Sequence, residues 1–307
     1  MHIDPTELKD RLPGVLIFAT TPFREGSLEL DVVGFRSNME FLAAGGIQSV
    51  AVAGFVGEYS ALTAAEYETV IRTAREALGP DRIVVAGVGY GSELATQYAA
   101  AAEASGADCA MLLPPYLVEP TEDGMVAHVT HVASATRIGI MVHSMPGFAF
   151  SPRLVERMAD IPNVVSYKDE LGDVRSFGEI VDRVGDSLVY VNGRAEPVMG
   201  YYAAAGATVL ASAIGNFDPT LALAAADVAQ RLDFDAYRAL LAPRATPWYR
   251  LRESNRGYLI SVSKASMNLM RRAGGLVRPP LSGLRPEVET ELRELMAEIG
   301  YLEAVAR

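Results

Sequence analysis

83-IVVAGVGYGSELATQYAAAAEASGADCAMLLP-114 carries the pattern on which the fold of the chain turns. A short apolar run, 83-IVVAGV-88, passes through Gly and Ser into residues 92–105, where apolar positions recur at helical spacing, and then into a second run, 109-CAMLLP-114. Both runs are apolar nearly throughout, as strands covered on both faces are. Strand, helix, strand in that order predicts a parallel pair joined by a crossover helix. The same unit recurs outward in both directions. Further strand-like runs are 15-VLIFAT-20, 49-SVAVAG-54, 138-IGIMVH-143, 164-VVSYK-168, 188-LVYVN-192 and 208-TVLAS-212. Helical spacing marks residues 31–44, 63–78, 121–136, 151–160, 173–184 and 195–205. Thr63, Ser92, Thr121 and Ser151 fit N-cap positions, and Thr63 with Glu66 fits a capping box.

Eight strands in βα alternation over about 220 residues suit a closed eightfold barrel or an open doubly wound sheet. After the first strand the chain reads Thr20-Thr21-Pro22-Phe23, with no Gly-rich dinucleotide turn, and the count of eight also favours the barrel. From about residue 219 the strand pattern stops, and helical segments follow, broken near Pro243, Pro247 and 274-GGLVRPP-280. The expected organisation is an α/β (β/α)8 barrel with the active site over 1–218 and a C-terminal helical domain over 219–307.

Composition narrows the function. A net charge of -11 disfavours nucleic acid, which needs a basic face. Cys109 is the single cysteine, so no internal disulfide forms and a reduced compartment is the simple inference. No apolar run reaches the ~18 residues of a membrane span. Met1 to Pro13 lacks an apolar signal core. A cytoplasmic location is expected. No metal is expected either: His128 and His131 share a helix face without an acidic partner motif.

In a barrel the site lies at the C-terminal ends of the strands. That rule selects Thr20, Thr21, Gly57, Glu58, Tyr90, Pro114 to Tyr116, His143, Lys168, Asn192 to Arg194, and Ser212 to Asn216. Lys168 stands out, because the chain holds only three lysines, Lys9, Lys168 and Lys264, and uses arginine for its surface. An amine at a strand end points into the barrel mouth. Burial disfavours the ammonium, and a neutral amine attacks a ketone to form an imine that serves as an electron sink. The bland alternative is an ion pair of Lys168 with Asp169 or Glu170. Lys264 reads as a structural residue of the helical appendage.

At these residues the chain resembles the dihydrodipicolinate synthase and N-acetylneuraminate lyase family. The carriers are 53-AGFVGEYSALT-63, 112-LLPPYLVEPTEDG-124 and 164-VVSYKDELGD-173. The stretches 211-ASAIGNFDP-219, 257-GYLISVSK-264 and 276-LVRPPLSGL-284 are similar to its 5-dehydro-4-deoxyglucarate dehydratase branch. The resemblance implies Lys168 as the Schiff-base lysine, Tyr116 as the tyrosine that reaches the neighbouring subunit's site, and a homotetramer built as a dimer of dimers. It implies no cofactor. The chain also departs from the pattern. In 143-HSMP-146, His143 stands where the family has its proton-shuttling tyrosine, and imidazole can exchange protons near neutral pH, with an ordinary pKa of about 6.5. Phe55 and Val56 replace threonines that hold the carboxylate of a 2-oxo acid, although backbone N–H groups of the 54–58 turn can still bind one. Glu58 is retained. Phe148 replaces the arginine that holds a second carboxylate in the synthases.

The resulting expectation is a Schiff-base lyase acting on a small-molecule 2-oxo acid, with dehydration and decarboxylation of a 5-dehydro-4-deoxyglucarate-like sugar acid as the leading reaction. Lys168, His143 and Tyr116 form the catalytic set. Phe55, Val56, Gly57, Glu58, Phe148, Arg194, Ser212 and Asn216 form the substrate-binding set. Two alternatives stand beside it. One is a retro-aldolase or hydratase-aldolase on a more apolar 2-oxo acid, favoured by Phe55, Val56 and Phe148. The other is a ligand-binding barrel without catalysis.

Overall fold

The computed structural model describes residues 3–115, 117–254 and 257–303. Eight parallel strands close into a barrel in sequence order: β1 Gly14–Phe18, β2 Ser49–Val52, β3 Ile83–Val88, β4 Cys109–Leu112, β5 Gly139–Ser144, β6 Val164–Asp169, β7 Val189–Asn192 and β8 Val209–Ser212. The helices between them are α2 Val32–Ala44, α3 Ala64–Leu78, α4 Ser92–Ala104, α5 Glu122–Ser134, α6 Pro152–Ala159, α7 Val174–Val184 and α8 Met199–Ala204, with α1 Pro5–Arg11 ahead of β1. After β8 follow α9 Pro219–Gln230, α10 Phe234–Leu241, α11 Ala245–Ser254, α12 Leu259–Leu269 and α13 Pro286–Glu298. The expected (β/α)8 barrel with trailing helices is the fold observed. Among the described residues no helix is long and apolar enough to cross a membrane.

The helix starts follow local chemistry. Thr63 and Glu66 form the expected reciprocal capping box, and the Thr121 and Ser151 hydroxyls accept from Gly124 and Leu154 N–H. Ser92 differs: Gly91 is the cap, and the Ser92 hydroxyl lies 2.9 Å from His128 Nδ1 on the neighbouring helix. α9 packs against β1, β8 and α8. That is the place of the eighth helix of the ring, although the expected boundary at residue 218 counts it with the appendage.

The apolar side chains divide into two cores. One lies between strands and helices, and the other fills the barrel with Leu16, Val85, Met111, Met141 and Val191, plugged from below by Leu8 of α1 and Leu12 at its C-cap. Inward and outward positions alternate along β5, with Met141 inside and Val142 outside. β6 breaks that alternation. Ile140 pairs with Val164 but Met141 with Ser166, so Val165 is an extra residue, a β-bulge. Val165 faces the barrel while Tyr167 faces the helices. Without the bulge, Lys168 would follow Val164 outward; with it, Lys168 points inward beside His143, its partner across the ladder.

Candidate active site

At the C-terminal mouth of the barrel lies a cavity of about 360 Å³. Lys168 and His143 stand at its floor, 3% and 1% exposed, with Glu170 at 28% on the cavity side. Lys168 Nζ donates to Glu170 Oε2 at 2.8 Å and lies 2.8 Å from His143 Nε2, which is itself 2.9 Å from the same Glu170 oxygen. The Phe18 ring packs under the amine, 5.0 Å from Nζ to its centroid, a cation–π distance. The ion-pair partner of Lys168 is thus Glu170. Asp169 turns away and accepts from the Tyr167 and Tyr202 hydroxyls at 2.9 and 2.6 Å, which fixes the loop after β6. Gly193 leaves the amine its room: a Cβ there would sit 2.5 Å from the Asp169 carbonyl oxygen and 2.9 Å from Nζ.

Burial, reinforced by the charge of Lys168 and opposed by Glu170, lowers the His143 pKa to about 4. The ordinary imidazole value of about 6.5 is therefore displaced downward. Burial pushes the Glu170 carboxyl up, but the Lys168 charge and the His143 contact outweigh it and hold it below the usual carboxylate range. His143 Nδ1 is buried with no hydrogen-bond partner among the described residues. A bare lone pair there costs less than an unmet N–H, so the hydrogen belongs on Nε2, where it meets Glu170.

The structure brings together six of the expected residues around the cavity: Lys168, His143, Phe55, Val56, Arg194 and Ser212. The others sit elsewhere, each for a visible reason. Glu58 is buried in an ion pair with Lys264 of α12 and accepts the Arg278 N–H at 3.0 Å, so its carboxylate serves the joint between barrel and appendage. Gly57 lies behind the mouth, where its carbonyl accepts the Thr21 hydroxyl at 2.7 Å. Asn216 is buried and donates to the Phe18 and Ala213 carbonyls at 2.8 and 2.9 Å. Phe148 packs in the loop after β5, where its carbonyl accepts the Ser144 hydroxyl at 3.1 Å. Tyr116 lies outside the described residues. Ser212 reaches the cavity with its proton committed to Glu196 Oε1 at 2.5 Å while it accepts from Gly215 N–H, so toward a ligand it offers a lone pair only.

Phe18, Met111, Glu170, Arg252, Glu253 and Leu259 supply the other large or charged side chains of the wall. The sequence pattern did not mark them as site residues. Phe18 and Met111 were reachable as inward positions of β1 and β4. Glu170 lies one residue past its strand. Arg252 had no local signal: it comes from α11, anchored through Nε to the Leu259 carbonyl at 3.0 Å and the Ser263 hydroxyl at 3.2 Å. In the 54–58 turn, the N–H groups of Phe55, Val56 and Gly57 have no acceptor among the described residues. Such a run of free N–H groups suits a carboxylate.

Fold and site together define a barrel enzyme whose candidate reactive group is a primary amine. The chain belongs to the dihydrodipicolinate synthetase family, whose sequence model matches residues 11–299. It is 36% identical over 306 residues to a protein of Ralstonia nicotianae named probable 5-dehydro-4-deoxyglucarate dehydratase, covering 98% of each chain. It is 37% identical over 284 residues to a protein of the same name from Saccharopolyspora erythraea, covering 91% of this chain and 92% of that one. Dihydrodipicolinate synthase from Oceanobacillus iheyensis has a similar crystal structure, with a TM-score of 0.90 at 26% identity over 95% of this chain and 98% of the other.

Proposed function

We propose that the protein is a Schiff-base lyase that dehydrates and decarboxylates a 5-dehydro-4-deoxyglucarate-like sugar acid. The observation that carries the reading is the amine of Lys168, aimed by the β6 bulge into the cavity of a chain whose relatives bear dehydratase names. In this reading Lys168 attacks the keto carbon. His143 Nε2–H, 2.8 Å from Nζ, donates a hydrogen bond to the carbinolamine oxygen, which takes one proton from the attacking nitrogen and one from solvent and leaves as water as the iminium forms. The free N–H groups of Phe55 and Val56, which line the cavity, hold the carboxylate next to the imine, and Arg194 and Arg252 receive the far end of the substrate. The aldolase reading loses support, because Phe148 does not line the cavity and the relatives are named as dehydratases.

Borohydride added with a 2-oxo acid is expected to fix its mass on the peptide bearing Lys168, and Lys168→Ala to abolish the adduct. With the sugar acid as substrate, one carbon dioxide should be released per turnover. An adduct on Lys264, or none, would refute the proposal. We also propose a cytoplasmic homotetramer. Leu117 and Val118, exposed on the loop after β4, fit a face covered by another subunit. Sedimentation of the purified chain measures the assembly.

A further inference from the structure

The carbon chemistry that follows imine formation needs a group to take a proton from the carbon next to the imine carbon. That carbon lies two bonds from Nζ, so the base must stand beside the amine and face the substrate. Of the three groups clustered there, Lys168 becomes the imine nitrogen and His143 is almost fully enclosed, 1% exposed. Glu170 is 28% exposed and opens onto the cavity, with Oε2 2.8 Å from Nζ. Of the other polar groups of the wall, Arg194 and Arg252 are cations, Ser212 spends its proton on Glu196, and Glu253 is an exposed residue of α11 outside the set hydrogen-bonded to Nζ, which is His143 and Glu170.

We propose that Glu170 is the catalytic base and acid of the carbon chemistry at Lys168, an assignment that rests on the Schiff-base reading above. Glu170 Oε2 takes the proton from the carbon adjacent to the iminium carbon. The C–H electron pair becomes the C=C bond of an enamine, and the C=N pair moves onto Nζ. The glutamic acid so formed gives the same proton to the hydroxyl on the next carbon, which leaves as water while the enamine pair returns to form a conjugated iminium. One proton and one hydroxide leave as water, and nothing is oxidised or reduced. The electrostatics support the order of events. The positive charge on Nζ that holds Glu170 ionised vanishes as the enamine forms, the moment at which the carboxyl must hold its proton. His143 Nε2–H, 2.9 Å from Oε2, keeps the carboxylate in place without competing for the proton, and so acts as a positioning residue in this step.

Pyruvate separates the two assignments, because its methyl group lies next to the imine carbon. The wild-type chain should be trapped on Lys168 by borohydride and should exchange the methyl protons of pyruvate for deuterium, followed by proton NMR in D2O. Glu170→Gln should still be trapped, while exchange slows by about 10²–10⁴-fold. Glu170→Asp should recover part of the rate, and formate added to Glu170→Ala should restore exchange in proportion to its concentration, which a merely structural carboxylate would not allow. Exchange at the wild-type rate in Glu170→Gln overturns the assignment. So does loss of trapping in that variant alone, since the carboxylate would then act before the carbon chemistry. Absence of any adduct on the wild-type chain sinks the Schiff-base reading, and this assignment with it.

Discussion

His143 shows how far one enclosed side chain can move from its solution behaviour. With a pKa of about 4 in the folded chain against about 6.5 in the unfolded one, it is neutral wherever the protein works. Its imidazole therefore meets Glu170 as a neutral Nε2–H donor. Activity should keep a flat acid side through pH 6.5, and any limb due to His143 should fall near pH 4, as a pH–rate profile would reveal. The stability consequence has the same sign. Between about pH 6.5 and 4 the unfolded chain binds a proton that the folded chain refuses, so stability is present above 6.5 and declines as the pH falls toward 4. Melting temperatures across that window should drop for the wild type and drop less for His143→Gln. Equal slopes for the two would mean that the imidazole protonates in place. Gly193 acts at the same scale, since any side chain there meets the Asp169 carbonyl before it meets the amine.

At the scale of elements, two devices shape the site. The bulge at Val165 turns Lys168 inward. The second is the buried Lys264–Glu58 pair, which ties α12 to the turn after β2 that carries Phe55 and Val56. Glu58 holds a left-handed backbone, φ 55°, and its partner amine lies over the Phe23 ring. Removing one member of a buried pair strands the other charge, at about 3–5 kcal/mol, whereas replacing both by apolar groups is often nearly neutral. Lys264→Met should therefore destabilise the chain by about that amount in denaturant titrations, and Lys264→Met with Glu58→Leu should recover most of it. If the double variant is as unstable as the sum of the two single ones, the two charges are not coupled. We further propose that the barrel unit ends after α9, which covers β1 and β8, and that the appendage begins with α10.

At the scale of the whole molecule, the helical appendage completes the cavity: α11 supplies Arg252, and α12 the Leu259 that holds it. Losing a charged hydrogen bond costs about 1.5–3 kcal/mol. Arg252→Met should accordingly raise the KM for a dicarboxylic sugar acid roughly 10- to 100-fold, with borohydride trapping of pyruvate on Lys168 unaffected. Loss of trapping instead would show that Arg252 holds up the site rather than the substrate. The strand count, the barrel and the lysine proposed to carry the chemistry were legible in the sequence by itself. Apolar runs with a regular period, the scarcity of lysine and the strand-end rule are local properties, readable one segment at a time. Which residues meet was not local. Glu58 left the expected site because a lysine 206 residues away neutralises it in the interior. Arg252 entered the site from a helix whose own pattern says nothing of catalysis. The neutrality of His143 and the exposure of Glu170 beside Lys168 depend on burial and charge at ångström distances, and only the closed barrel with its appendage creates them.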